Sequence, residues 1–214
     1  MPIKVSVKGD AKVNIRLKKE GAGLTPSKYL PDIGSLPTNG ISISTNLITF
    51  MEMRTESVFR PNQEDIEVVY ALTGSSKNIP DAIHKFSSNE VVPHASSDRI
   101  SYYTEKMVEH ILEERKSIPE LIVIVHTHPK GAAELSEVDK NTHLQVANKM
   151  KELVPNASVM FGVHAVSSES RMPRTDPVKI AGNAIKWSSI TRQHEAAFFD
   201  KNSKPVEVNV WTKV

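Results

Sequence analysis

The sequence predicts a mixed α/β domain behind a small β-hairpin appendage, and three patterns carry that expectation. Residues 121–125 (Leu-Ile-Val-Ile-Val) and 158–166 are short apolar runs of the kind that form strands buried on both faces. Between and before them lie two helical patterns. Residues 102–116 place Tyr103, Met107, Val108, Ile111 and Leu112 on one stripe, and residues 136–153 place Val138, Leu144, Val146, Ala147 and Met150 inward. At the start of the chain, Ile3, Val5 and Val7 alternate with polar residues, Gly9-Asp10 breaks the run, and Val13, Ile15 and Leu17 resume it, which is a hairpin signal.

The remaining elements follow in order. Residues 19–40 hold Gly21, Gly23, Gly34 and Gly40 with Pro26, Pro31 and Pro37 and read as a loop, so residues 1–40 form the appendage and 41–214 the main domain. A helix is expected over residues 45–57 from Leu47, Ile48, Phe50 and Met51, with Val58 beyond. Residues 64–74 begin acidic and end in strand formers before Gly74, as a helix end running into a strand would. Strands are expected near 82–86 and 90–93. The tail from 179 holds a strand at 196–199, a turn at 200–204 and alternating Val206, Val208 and Val210, a closing hairpin against which Trp187 and Trp211 pack.

Composition excludes several classes of function. With 27 Lys+Arg against 25 Asp+Glu, the formal charge of +2 lacks the basic excess that phosphate-dominated nucleic-acid binding requires. Cysteine is absent, which removes disulfides, a thiol nucleophile and thiolate metal sites; any zinc must sit on His, Asp or Glu. No apolar run reaches the length of a membrane span, and residues 1–8 lack the core of a signal peptide, so the expectation is a soluble cytoplasmic protein with no membrane partner.

The strand at 121–125 leads straight into His126-Thr127-His128-Pro129. On a strand, residues i and i+2 share a face, so the two imidazoles converge. A loop then brings back Asp139 within Ser136-Glu137-Val138-Asp139. Two imidazoles and a carboxylate suit zinc, and three protein ligands leave a fourth position for water, the arrangement of catalytic sites. Ser136 and Asp139 also have a local explanation as N-cap and N3 of a capping box. The two roles are compatible, because a helix start beside a strand end presents Asp139 to a metal. His143, one turn further on, is on the same helical face and could touch the ligands' outer partners, but a packing or exposed role is the expectation. His84, His94, His110, His164 and His194 show no ligand spacing, and Glu113-Glu114-Arg115-Lys116 reads as a solvated helix end.

The joint pattern His-x-His-Pro-x6-Ser-x2-Asp resembles the JAMM motif of the MPN+ metalloprotease family. Upstream, Glu67-Val68-Val69-Tyr70-Ala71-Leu72-Thr73-Gly74 is similar to that family's Glu-x-x-Gly-x-Leu-x-Gly, with Tyr70 departing from the small residue usual at its position. Over about residues 43–208 the resemblance implies a deaminase-like fold, a curved mixed sheet between helices. It implies one Zn2+ per chain held by His126, His128 and Asp139, with a catalytic water. Glu67 would be the general acid–base, with Glu52, Glu56 and Glu64 as competitors, and Ser136 would donate to the oxyanion. The implied substrate is the bond after the C-terminal tail of a ubiquitin-like protein, as in a small prokaryotic member. Two other readings stand beside it: a non-catalytic MPN scaffold, and a different His-x-His metalloenzyme such as a cupin or an amidohydrolase. The sequence leaves open whether the loop at 130–135 closes over the metal.

Overall fold

The apolar run at 121–125 becomes the middle of a nine-residue strand that continues through both histidines to Pro129. It belongs to a computed structural model that describes residues 40–55, 58–59, 65–86, 89–96, 100–168 and 173–212. The hairpin and most of the loop expected over residues 1–40 lie outside these. In chain order the elements are β1 (Gly40–Ser44), α1 (Thr45–Arg54), β2 (Val69–Gly74), β3 (Ala82–Lys85), β4 (His94–Ala95), β5 (Ile100–Ser101), α2 (Thr104–Arg115), β6 (Leu121–Pro129), α3 (Glu137–Leu153), β7 (Ser158–Ser168), β8 (Thr175–Ala181), β9 (Ala184–Ser188), β10 (Arg192–Asp200) and β11 (Glu207–Trp211).

Seven strands form one sheet in the order β3-β2-β6-β7-β10-β9-β8. Only β6 and β7 run parallel within it, and their crossover is α3; the other neighbours are antiparallel. That single parallel joint makes the sheet mixed, because a parallel pair needs a long connection while hairpins serve the rest.

Alternation along β6 divides the core. Leu121, Val123 and Val125 face a cluster with Leu47, Ile48 and Met51 of α1 and with Ile41, Ile43, Trp187 and Phe198. Ile122 and Ile124 face the opposite way, onto Met107, Val108 and Ile111 of α2 and Val146, Ala147 and Met150 of α3. The sheet is thus covered by α1 on one face and by α2 and α3 on the other. The same alternation carries His126 and His128 onto the α3 face, past the point where apolar packing ends.

Several expectations need correction. Val138 and Leu144 are 67 % and 53 % exposed, not inward; α3 buries His143, Val146, Ala147 and Met150, and Leu144 lies about 100° round the helix from that stripe. Residues 65–68 carry no helix, and β2 starts at Val69, so Glu67 sits just before the strand. Residues 89–91 form a turn where a strand was expected, and the short pair β4–β5 follows. The end of α2 is not merely solvated: Arg115 holds Asp81 and Thr73, and Glu114 accepts from His84 Nδ1 at 2.5 Å. Strands β1, β8 and β9 were not anticipated. The expected hairpin is present at its base, in the Phe199–Pro205 bridge and the Val206 N–H donating to the Phe198 carbonyl at 3.0 Å, but β11 itself pairs in parallel with β1, Val208 opposite Ile41. Among the described residues no helix is long and apolar enough to cross a membrane.

Candidate metal centre

The site forms where β6 outruns its apolar packing and meets the start of α3. Ser136 is the N-cap of α3: its hydroxyl accepts from the Asp139 N–H, and the Ser136 N–H donates to Asp139 Oδ2 at 2.8 Å, completing the capping box. The Ser136 hydroxyl also donates to the same oxygen at 2.7 Å. These bonds hold the Asp139 carboxylate at the helix N-terminus, where the helix dipole favours its charge.

From there Asp139 reaches the strand histidines. Its Oδ1 lies 3.3 Å from His126 Nε2 and its Oδ2 3.8 Å from His128 Nε2, and the two Nε2 atoms are 3.1 Å apart. His128 Nδ1 faces the Ala132 carbonyl at 3.0 Å. A carbonyl only accepts, so Nδ1 carries the proton and Nε2 presents its lone pair to His126 and Asp139. Three donors converging in this way could hold a metal ion. A tetrahedral ion with bonds of about 2.0–2.1 Å keeps adjacent donors about 3.3 Å apart; the His126–His128 and His126–Asp139 edges are near that, and the His128–Asp139 edge is longer, at 3.8 Å to the other carboxylate oxygen.

For Asp139 and His128 the electrostatics favour the protonation states a metal requires. Burial opposes ionisation of Asp139, but the hydrogen bond and charge of His126 and the bonds from Ser136 hold its carboxyl well below the usual range. Burial, then His126, pushes His128 below the ordinary imidazole value. His143 is pushed down to about 4 by burial and by His126. It is buried, stacked on Phe161 at 3.9 Å between centroids, and 6.1 Å from the His126 ring, which is the packing role its position suggested.

A cavity of about 1070 Å³ opens over the triad, lined among others by Glu67, His126, His128, Ser136 and Asp139, and reaching Tyr102 and Lys149 along α3. Glu67 is buried and shares this cavity. Of its competitors, Glu52 lies on α1 across the sheet, paired with Arg174 at 3.1 Å, and Glu56 and Glu64 fall outside the described residues. Neither protein-family models nor curated proteins give a match to this chain.

The loop at 130–135 borders the site, with Gly131 lining the cavity and its later residues anchored beside it. Ala133, 4 % exposed, and Leu135 sit in a separate apolar cluster with Val163, Ala165, Ala184, Ala197 and Phe199, which is what holds the Ala132 carbonyl against His128. No sequence signal marks this contact, because a backbone carbonyl carries no residue identity. Tyr70 is fully buried on the other face, and its hydroxyl meets His164 Nδ1 at 2.9 Å.

Proposed function

We propose that this chain is a zinc-dependent peptidase or isopeptidase of the JAMM/MPN+ type, acting on the bond after the C-terminal tail of a ubiquitin-like protein. The observation that carries the reading is the meeting of His126, His128 and Asp139 within one cavity that Glu67 and Ser136 also line. A mixed sheet with helices on both faces is what a deaminase-like MPN fold would require, and supports it further.

His126, His128 and Asp139 would hold the zinc. When bound, the ion supplies Lewis-acid activation of water and of the scissile carbonyl at neutral pH. Glu67 takes a proton from the attacking water and passes it to the departing amine, so the hydroxyl ends on the acyl carbon and the proton on nitrogen. The Ser136 hydroxyl is engaged with Asp139, yet the Ser136 N–H holds the same oxygen. The hydroxyl can therefore turn into the cavity toward a developing oxyanion while the carboxylate stays in place. Ala132 fixes the His128 tautomer throughout.

The test is incubation of the zinc-loaded protein, with and without a chelator, against a panel of ubiquitin-like proteins fused through their C-termini to a peptide or to a lysine side chain, read by mass. Cleavage after the tail that stops on chelation is expected. Absence of cleavage across the panel, or cleavage indifferent to chelator, sinks the reading and favours a non-catalytic scaffold.

A further inference from the structure

We propose that Thr127, the spacer between the two histidine ligands, is the positioning residue for Glu67. The inference rests on the hydrolase reading for its consequence, though not for its geometry. The ladder between β2 and β6 runs from Gly74 opposite Leu121 to Val69 opposite His126 and ends there. One step further, Val68 lies beside Thr127. The Thr127 N–H donates to the Val68 carbonyl at 3.0 Å, as a ladder continues. The return bond is different: the Val68 N–H donates to the Thr127 side-chain Oγ1 at 2.8 Å.

The hydroxyl thus takes the place of a ladder carbonyl at the residue next to Glu67. Alternation explains why it can. With His126 and His128 turned to the α3 face, Thr127 turns to the other, where it is wholly buried at the β2 seam. The segment is also held by the Glu67 N–H donating to the Ser96 carbonyl at 2.7 Å, by the Ile66 N–H donating to the Val58 carbonyl at 3.0 Å and by Asp65 pairing with Lys130 at 2.6 Å. Lys130 is 70 % exposed, so solvent screens that pair. Thr127, through its N–H and its hydroxyl, thus ties the carbonyl-side register of Glu67 directly to the strand carrying two of the candidate ligands. Valine would fill the same space without the acceptor, and serine would restore the acceptor without the methyl.

The experiment compares T127V and T127S with the unaltered full chain loaded with Co2+. Three readouts apply: metal affinity, hydrogen exchange of the Val68 amide, and the pseudocontact shift of the Glu67 side-chain carbons. In T127V we expect metal affinity within about threefold of the parent, Val68 exchange faster by at least about tenfold, and a changed Glu67 shift. T127S should retain the parent values. On a cleaved ubiquitin-like fusion, T127V should lose about ten- to hundredfold in kcat with KM nearly constant, the penalty of a displaced catalytic group. A T127V protein with unmoved Val68 exchange and Glu67 shift overturns the proposal and leaves the hydrolase reading standing. The expected contrast in a parent protein that cleaves no fusion supports the placement and overturns the hydrolase reading. Should T127V not fold, T127A against T127S carries the same comparison of hydroxyl absent and present.

Discussion

At the scale of single residues, Glu67 and Ser136 are where the proposed function separates metal binding from chemistry. Glu67 lines the cavity without belonging to the donor triad. Glu67→Gln keeps size and removes the proposed base, so zinc content should stay at one per chain while turnover falls by about 10²–10⁴-fold, the usual worth of a positioned acid–base group. Metal analysis beside single-turnover kinetics checks both halves; full activity in Glu67→Gln would move the base elsewhere. Ser136 caps α3 and, on the proposed function, donates to the oxyanion, and Ser136→Ala removes both. Loss of the cap should cost about 1 kcal/mol in denaturant unfolding of the metal-free protein. Loss of the oxyanion donor should cost about 10²-fold or more in kcat. A stability loss with unchanged kcat would leave Ser136 as a cap alone.

At the scale of elements, the site is a junction between the end of β6 and the start of α3, fastened by the loop between them. Ala133 and Leu135 anchor that loop in their own apolar cluster, and the anchoring places the Ala132 carbonyl on His128 Nδ1. Ala133→Glu would force a charge into this cluster and pull the carbonyl away. Zinc affinity should then fall by about 10–100-fold, as losses of a ligand's outer partner do, while far-ultraviolet circular dichroism stays that of the parent. Competition with a chromophoric chelator measures it, and parent-like affinity would show that the carbonyl is dispensable. Gly131 belongs to the same fastening, since a Cβ there would meet His128 Cβ at 3.0 Å.

At the scale of the whole molecule, the face of the sheet away from the site holds a buried hydrogen-bonded chain. Tyr70 donates to His164 Nδ1 at 2.9 Å, His164 Nε2 donates to His194 Nδ1 at 3.1 Å, His194 Nε2 donates to Ser189 Oγ at 3.2 Å, and Ser189 donates to the Arg192 carbonyl at 3.4 Å. The opposite polarity would leave the buried Tyr70 proton without its acceptor, so both imidazoles are neutral. Burial pushes His164 well below the usual imidazole range, and burial with the charges of Arg192 and Arg174 pushes His194 down to about 4. The unfolded chain takes up protons near pH 6.5. Below that value it binds more protons than the folded state, so this contribution to stability is complete above pH 6.5 and lost as pH falls toward 4. The urea midpoint of metal-free protein should drop across that window, by the equivalent of roughly 1–3 kcal/mol from His194, and less steeply in His194→Asn. A midpoint independent of pH between 6.5 and 4.5 would mean that the chain is not neutral in the fold.

Local patterns in the sequence determined much of this protein. The apolar run before His126, the i, i+2 spacing of the histidines, and the Ser136–Asp139 cap each act through backbone periodicity within a few residues, so they are legible without the fold. The tertiary structure decided what depends on distant partners. It paired the tail with β1, bound Glu114 and Arg115 to β2 and β3 residues, and turned Val138 and Leu144 to the surface. It also brought Glu67 into the cavity of residues some sixty positions away, through a register fixed by the β2–β6 ladder and the Thr127 hydroxyl. Strand pairing and burial are set by contacts between segments remote in sequence, and periodicity within one segment does not encode which remote segment it will meet.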